Sequence, residues 1–199
     1  ARLRLVRPDP FATSTSPGTF TLAPAASGDW ASAPVAGAAP DAPCDAAVGP
    51  DGTTHVVWIS DTGTPAPHHA EGRADAWTVT TLDATTEPAG RPAIALSPAG
   101  EPAVAYLQLD EEDAVGFARR SGGTWSVSFV DGTQGAESDV SLAFDEAGSV
   151  HLAYYDGARH QLGYGRLTGG SWSLEDVLAG QAEWGIQHDL AVTDGRVWI

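Results

Sequence analysis

Lysine and methionine are absent from this 199-residue sequence, and cysteine occurs once, as Cys44. Without lysine the chain cannot form a Schiff base, and a lone cysteine allows no intrachain disulfide. The basic side chains number 10, all arginine, against 26 acidic ones, for a formal net charge of −16. A surplus of that sign repels a phosphate backbone, so nucleic acid is not an expected partner. No run of about 18 apolar residues is present, so no membrane span is expected. Gly-rich phosphate loops, a GxSxG elbow and a Cys/His nucleophile arrangement are also missing, which removes the enzyme classes that depend on them, and no HxH or HExxH spacing marks a metal motif. Position 1 is alanine, and no basic start, apolar run and small-residue cleavage site follow it. The sequence therefore reads as a processed, trimmed or fragmentary chain.

What the sequence does contain is a repeat. Hydrophobic residues make up 42% and include seven tryptophans, enough for a packed core. Ala47, Ala95, Ala143 and Ala191 are 48 apart, as are Gly52, Gly100 and Gly148, and again Trp58, Tyr106 and Tyr154. A further ladder, Trp30, Trp77, Trp125 and Trp172, steps by 47, 48 and 47. Self-similarity at this period marks a repeat architecture. Cys44 falls in a predicted strand, as a small buried apolar residue.

In the clearest unit, Val140 to Phe144 alternates as a strand A, Asp145 to Gly148 is a turn, and Val150 to Asp156 is strand B. Leu162 to Arg166 is strand C, Thr168 to Ser171 a tight turn, and Trp172 to Val177 strand D. Earlier units repeat the plan, with Ala93–Leu96, Ala103–Tyr106, Val115–Arg119 and Trp125–Val130 before it, and Cys44–Val48, His55–Trp58 and Trp77–Leu82 before those. A meander of four short strands cannot bury both of its faces alone, so copies must stack. The expected fold is an all-β propeller of four-stranded antiparallel blades, about four in this chain, with a linear solenoid as the alternative. The expected divisions are a partial blade over 1–41, blades over 42–90, 91–138 and 139–188, and the start of a further blade over 189–199. Arg2–Val6, Phe20–Ala23 and Trp30–Val35 read as strands B, C and D of the first unit. Since Val197–Ile199 also reads as a strand B, two arrangements stay open. The termini share a blade in a closed ring, or a second chain carries the remaining blades.

The succession of strand A, Gly turn, His-x-Ala-Tyr-Tyr-Asp, a Gly-Tyr strand and Gly-Gly-x-Trp resembles the repeats of secreted bacterial β-propellers related loosely to sialidase-type and lectin propellers. The resemblance extends over essentially the whole chain and implies a propeller with a secreted, extracellular or periplasmic location. Ser121-Gly-Gly-Thr-Trp125 and Thr168-Gly-Gly-Ser-Trp172 keep the Gly and Trp of the sialidase-type Asp-box turn but lack its Asp. Arg119 and Arg166 fall on strand C rather than in a channel-side triad, so sialidase activity is not implied.

In such a frame the D-to-A and B-to-C loops converge on one rim, where functional groups are expected. The ligand-binding candidates are Trp184, Glu183, His188, Tyr155, Asp156 and Glu137, with the Trp184 indole as a plate for a sugar or peptide. Asp61 and Glu87 map to the same rim. His68, His160 and His188 are candidates for a transition metal, against the simpler reading of solvated loop histidines. The alternation of a strand end would send the His68 and His69 rings to opposite faces. Asp110-Glu-Glu-Asp113 offers oxygen ligands for calcium, against a solvated acidic cluster. His55 and His151 share one repeat position and read as packing residues. Three functions follow: a module that binds a glycan or protein, a propeller enzyme (a carbohydrate lyase or hydrolase, or a metal-dependent enzyme), or a scaffold.

Overall fold

A computed structural model describes residues 35, 38, 42–60, 65–73, 76–84, 87–109, 113–178 and 188–199. The predicted strands around Arg2–Val6, Phe20–Ala23 and Trp30 lie outside these residues. The described residues form an all-β structure of fourteen strands without a helix. β1 (Cys44–Val48), β2 (Thr54–Ile59), β3 (Pro67–Arg73) and β4 (Ala76–Thr81) form one sheet in that order. Eight strands make a curled second sheet: β5 (Pro88–Leu96), β6 (Pro102–Gln108), β7 (Ala114–Ser121), β8 (Thr124–Phe129), β9 (Ala136–Phe144), β10 (Val150–Asp156), β11 (Gln161–Thr168) and β12 (Ser171–Leu178). Its order is β12-β11-β10-β9-β5-β6-β7-β8, and the parallel neighbours β5 and β9 share one bridge, Arg91 with Asp139. On either side of that bridge the strands follow one another as an antiparallel meander. β13 (Ala191–Thr193) and β14 (Arg196–Trp198) form a hairpin.

The repeated turns have a common backbone cause. Gly49, Ser97 and Asp145 each donate from N–H to the carbonyl four residues on, and each accepts from the glycine three residues on. Those glycines, Gly52, Gly100 and Gly148, have φ of 83°, 80° and 80°. Only glycine adopts that conformation without strain, which explains the ladder.

The core lies between successive meanders. Val57, Ile59 and Leu82 of the first pack with Ile94, Val104, Tyr106 and Ala118 of the second. Leu107, Val115 and Phe117 of the second pack with Val140, Leu142, Val150 and Leu152 of the third, with Trp172 partly buried beside them. Each fully buried aliphatic side chain is worth about 1.5–3 kcal/mol. The matching first strands follow one another: β1 lies beside β5, β5 beside β9 and β9 beside β13. Side chains tie these neighbours together, since the Ile94 amide donates to Asp45 Oδ2 at 3.0 Å and Ser141 Oγ donates to the His188 carbonyl at 3.0 Å.

Two of the residues expected on rim loops lie on strands: Glu137 on β9, and His68, expected on a loop or at a strand end, on β3, which is extended and paired on both edges. Pro65, Pro67 and two adjacent histidines hide the alternation that would have marked the strand. Cys44 is free and half-buried rather than fully enclosed.

A cross-strand pairing accounts for the two tyrosines of the aromatic ladder. Tyr106 stands opposite Gly116, and Tyr154 opposite Gly163. A Cβ at either glycine would collide with the tyrosine ring. Gly116→Ala is therefore expected to cost about 1–3 kcal/mol in urea unfolding, whereas Val127→Ala, on an exposed side of β8, is expected to stay within about 0.5 kcal/mol.

Candidate functional site

Alternation along a strand and register across a pair decide which side chains share a face. On β11, Tyr164, Arg166 and Thr168 point to one face, and their partners on β12 are Glu175, Ser173 and Ser171. With Trp172 at the edge these residues line an open groove of about 570 Å³. A smaller groove of about 190 Å³ adjoins it at Thr168, lined by Arg119, Gly148, Ser149 and Leu167 among others.

The large groove has a fixed polar wall. His151, opposite Arg166 on β10, is hydrogen-bonded to the Tyr164 hydroxyl at 2.6 Å and to Asp145 Oδ2 at 3.3 Å. Arg166 Nη2 donates to the same Asp145 oxygen at 2.9 Å. Burial pushes the Asp145 carboxyl upward, but hydrogen bonds from Ser149, His151 and Arg166 outweigh it and hold the group at about 2. Burial raises Tyr164. The groove thus presents an ordered arginine, a free-standing carboxylate at Glu175 and three hydroxyls beside aromatic surface.

The corresponding face of the first meander is covered. His55 of β2 stands opposite Glu71 of β3, and His69 lies two residues before Glu71 on the same face. His55 Nδ1 and His69 Nε2 share a hydrogen bond at 3.1 Å, and His55 Nδ1 is 3.8 Å from Glu71 Oε2. Across the seam, Arg120 Nη1 donates to Glu71 Oε2 at 2.6 Å, and Trp125 meets the His69 ring edge-on at 5.0 Å. Burial drives both imidazoles toward the neutral form, His69 to about 4, with the neighbouring His55 adding to that shift.

Of the residues singled out in the sequence, Glu137, Tyr155, Asp156 and His160 gather at one end of the third meander. Glu137 faces Tyr155 across β9 and β10, and its carboxylate lies over Gly157. The Tyr155 hydroxyl is 3.3 Å from His160 Nδ1, and Asp156 accepts from the Arg159 amide at 2.9 Å. His68 is on β3, stacked on Trp58 at 5.2 Å and 3.1 Å from the Thr81 hydroxyl. His188 precedes β13, where its carbonyl binds Ser141. Trp184, Glu183, Asp61 and Asp110–Glu112 lie outside the described residues, and Glu87 is exposed at the entry to β5. Among the described residues, the group of three ligand-type side chains with donor atoms close together is His55, His69 and Glu71, and it contains none of the three histidines proposed for a metal. Glu71, Arg120 and Glu175 were not recognised from sequence, because strand register, which brings each to its partners, has no local motif.

No protein-family model and no curated protein matches the chain. Solved structures do. A fucose lectin from Kordia zhangzhouensis, determined in complex with methyl-fucoside, aligns with a TM-score of 0.50 and 12% identity over 69% of this chain and 99% of its own. A protein of unknown function from Dyadobacter fermentans aligns with a TM-score of 0.54 and 14% identity over 69% of this chain. There the match spans 42% of the other protein, well under two thirds of its length. At such identities the likeness is one of fold.

The buried imidazole of His69 makes stability depend on pH. Its folded pKa lies below its ordinary value of 6.5, so the unfolded chain binds more protons between that value and about 4. The contribution is complete above 6.5 and is lost as pH falls through the folded pKa. The unfolding temperature is expected to drop between pH 7 and pH 4, and His69→Phe, which matches Phe117 of the next unit, is expected to flatten that drop in calorimetric scans.

Proposed function

We propose that the chain is an extracellular, non-catalytic module that binds glycans, with its meanders set radially as the blades of a β-propeller. The radial reading rests on the succession β1, β5, β9, β13 and on the packing of each meander over the one before. The functional reading rests on the groove of β11 and β12. A sugar presents hydroxyls that need directed donors and acceptors, and C–H faces that favour aromatic surface. Arg166, Glu175 and the hydroxyls of Thr168, Ser171 and Ser173 supply the first, and Tyr164 with Trp172 the second. Likeness of fold to a lectin solved with methyl-fucoside agrees with this choice.

Glycan-array screening followed by titration calorimetry tests it, with methyl-fucoside among the first ligands. Wild-type protein is expected to bind, and Glu175→Ala to weaken binding about tenfold or more, as loss of a charged hydrogen bond does. Because Glu175 is exposed, its unfolding temperature should not change. A folded protein that retains no glycan on the array overturns the proposal.

One observation favours a second reading. In this repeat, the residue matching Tyr164 is His69 in the first unit, covered by Trp125, and Phe117 in the second, covered by Trp172. By that rule the Tyr164 face is the seat of another unit's tryptophan, supplied by Trp30 where this chain's own termini close the ring, or by a second chain. Light scattering of the purified chain tests the second chain: a stable assembly dissolved by Tyr164→Asp supports it, and a monomer removes it.

A further inference from the structure

We infer that His55, His69 and Glu71 form a site for a divalent transition metal, zinc by donor type, at the seam between the first and second meanders. Donors at about 2.0–2.1 Å from a tetrahedral ion lie about 3.3 Å from one another. The His55 Nδ1 to His69 Nε2 spacing of 3.1 Å and the His55 Nδ1 to Glu71 Oε2 spacing of 3.8 Å bracket that value. All three donor atoms lie within 4.8 Å of one another, so a small turn of the Glu71 side chain closes the set. Two imidazoles and one carboxylate with a fourth position left over is a donor set suited to zinc.

The packing of the fold does not call for these histidines. In the second unit Ala103 and Phe117 stand where His55 and His69 stand in the first, and they pack as apolar residues. In the third, His151 and Tyr164 occupy the same two positions and satisfy each other, with Asp145 accepting from the imidazole. The first unit has Gly49 where the third has Asp145, so its carboxylate comes instead from Glu71 on the neighbouring strand. The imidazoles are 3% and 1% exposed, and their buried, neutral form is the one that binds metal. Glu71 remains 32% exposed, which leaves a path for the ion.

Arg120 bears on the site from the second meander. Its guanidinium holds Glu71 Oε2, the oxygen counted among the donors, and its positive charge opposes a cation. Metal and arginine therefore compete for one carboxylate, which yields a test that a purely structural histidine pair would fail. The 199-residue chain, stripped with chelator, is titrated with zinc chloride by calorimetry and assayed for bound metal. About one zinc per chain is expected. The double variant His55→Ala, His69→Phe copies the pair of the second unit and should lose that zinc while keeping its fold. Glu71→Gln should weaken binding about tenfold, and Arg120→Gln should strengthen it about tenfold. Should the double variant fail to fold, Glu71→Gln carries the test. Wild-type chain without stoichiometric zinc, or binding unchanged in both of these variants, overturns the inference. Glycan binding is measured separately, so failure of either proposal leaves the other standing.

Discussion

Each meander is held to the one before it by an indole laid edge-on against a ring. Trp125 of β8 meets His69 of β3 at 5.0 Å, and Trp172 of β12 meets Phe117 of β7 at 5.2 Å with an interplanar angle of 87°. Edge-to-face contacts of this kind add about 0.5–1.5 kcal/mol to the area they bury. Their larger consequence is geometric. A four-stranded meander has two faces, and the tryptophan fixes how far and at what angle the next meander lies over the first. The apolar clusters between sheets lie in the same seams, and the first strands follow one another in the same order.

The same packing leaves room for chemistry to differ from seam to seam. In the first seam two imidazoles, a carboxylate and a guanidinium meet behind Trp125. The second is apolar around Phe117, with Arg119 set over the Phe144 ring at 5.4 Å. The third face keeps a histidine and a tyrosine but opens on the groove. One register position holds Glu71, Arg119 and Arg166 in turn, each opposite His55, Ala103 and His151. A repeat fold permits this because the ladder hydrogen bonds come from the backbone, while the side chain at that position is free to change.

Much of the chain was legible from its periodicity. The step of 48 exposed the turns because Gly52, Gly100 and Gly148 must take positive φ, and it marked Tyr106 and Tyr154 because a ring stands over a glycine across the strand pair. Strand β3 escaped because prolines and paired histidines obscure alternation. The adjacency of His68 and His69 nevertheless implied opposite faces, and the rings do part, one to Trp58 and the other to His55. The candidate sites were harder to see. Glu71 and Arg120 are 49 residues apart, and Asp145 and Arg166 are 21 apart. No short motif joins either pair.

The sequence alone determined that strands recur and where their turns fall, because those properties depend on neighbours along the chain. Tertiary structure alone decided that His55, His69 and Glu71 would meet Arg120, and that Tyr164, Arg166 and Glu175 would share an open face. Those meetings depend on the register between strands and on the spacing between sheets, both set by side-chain packing across the whole fold.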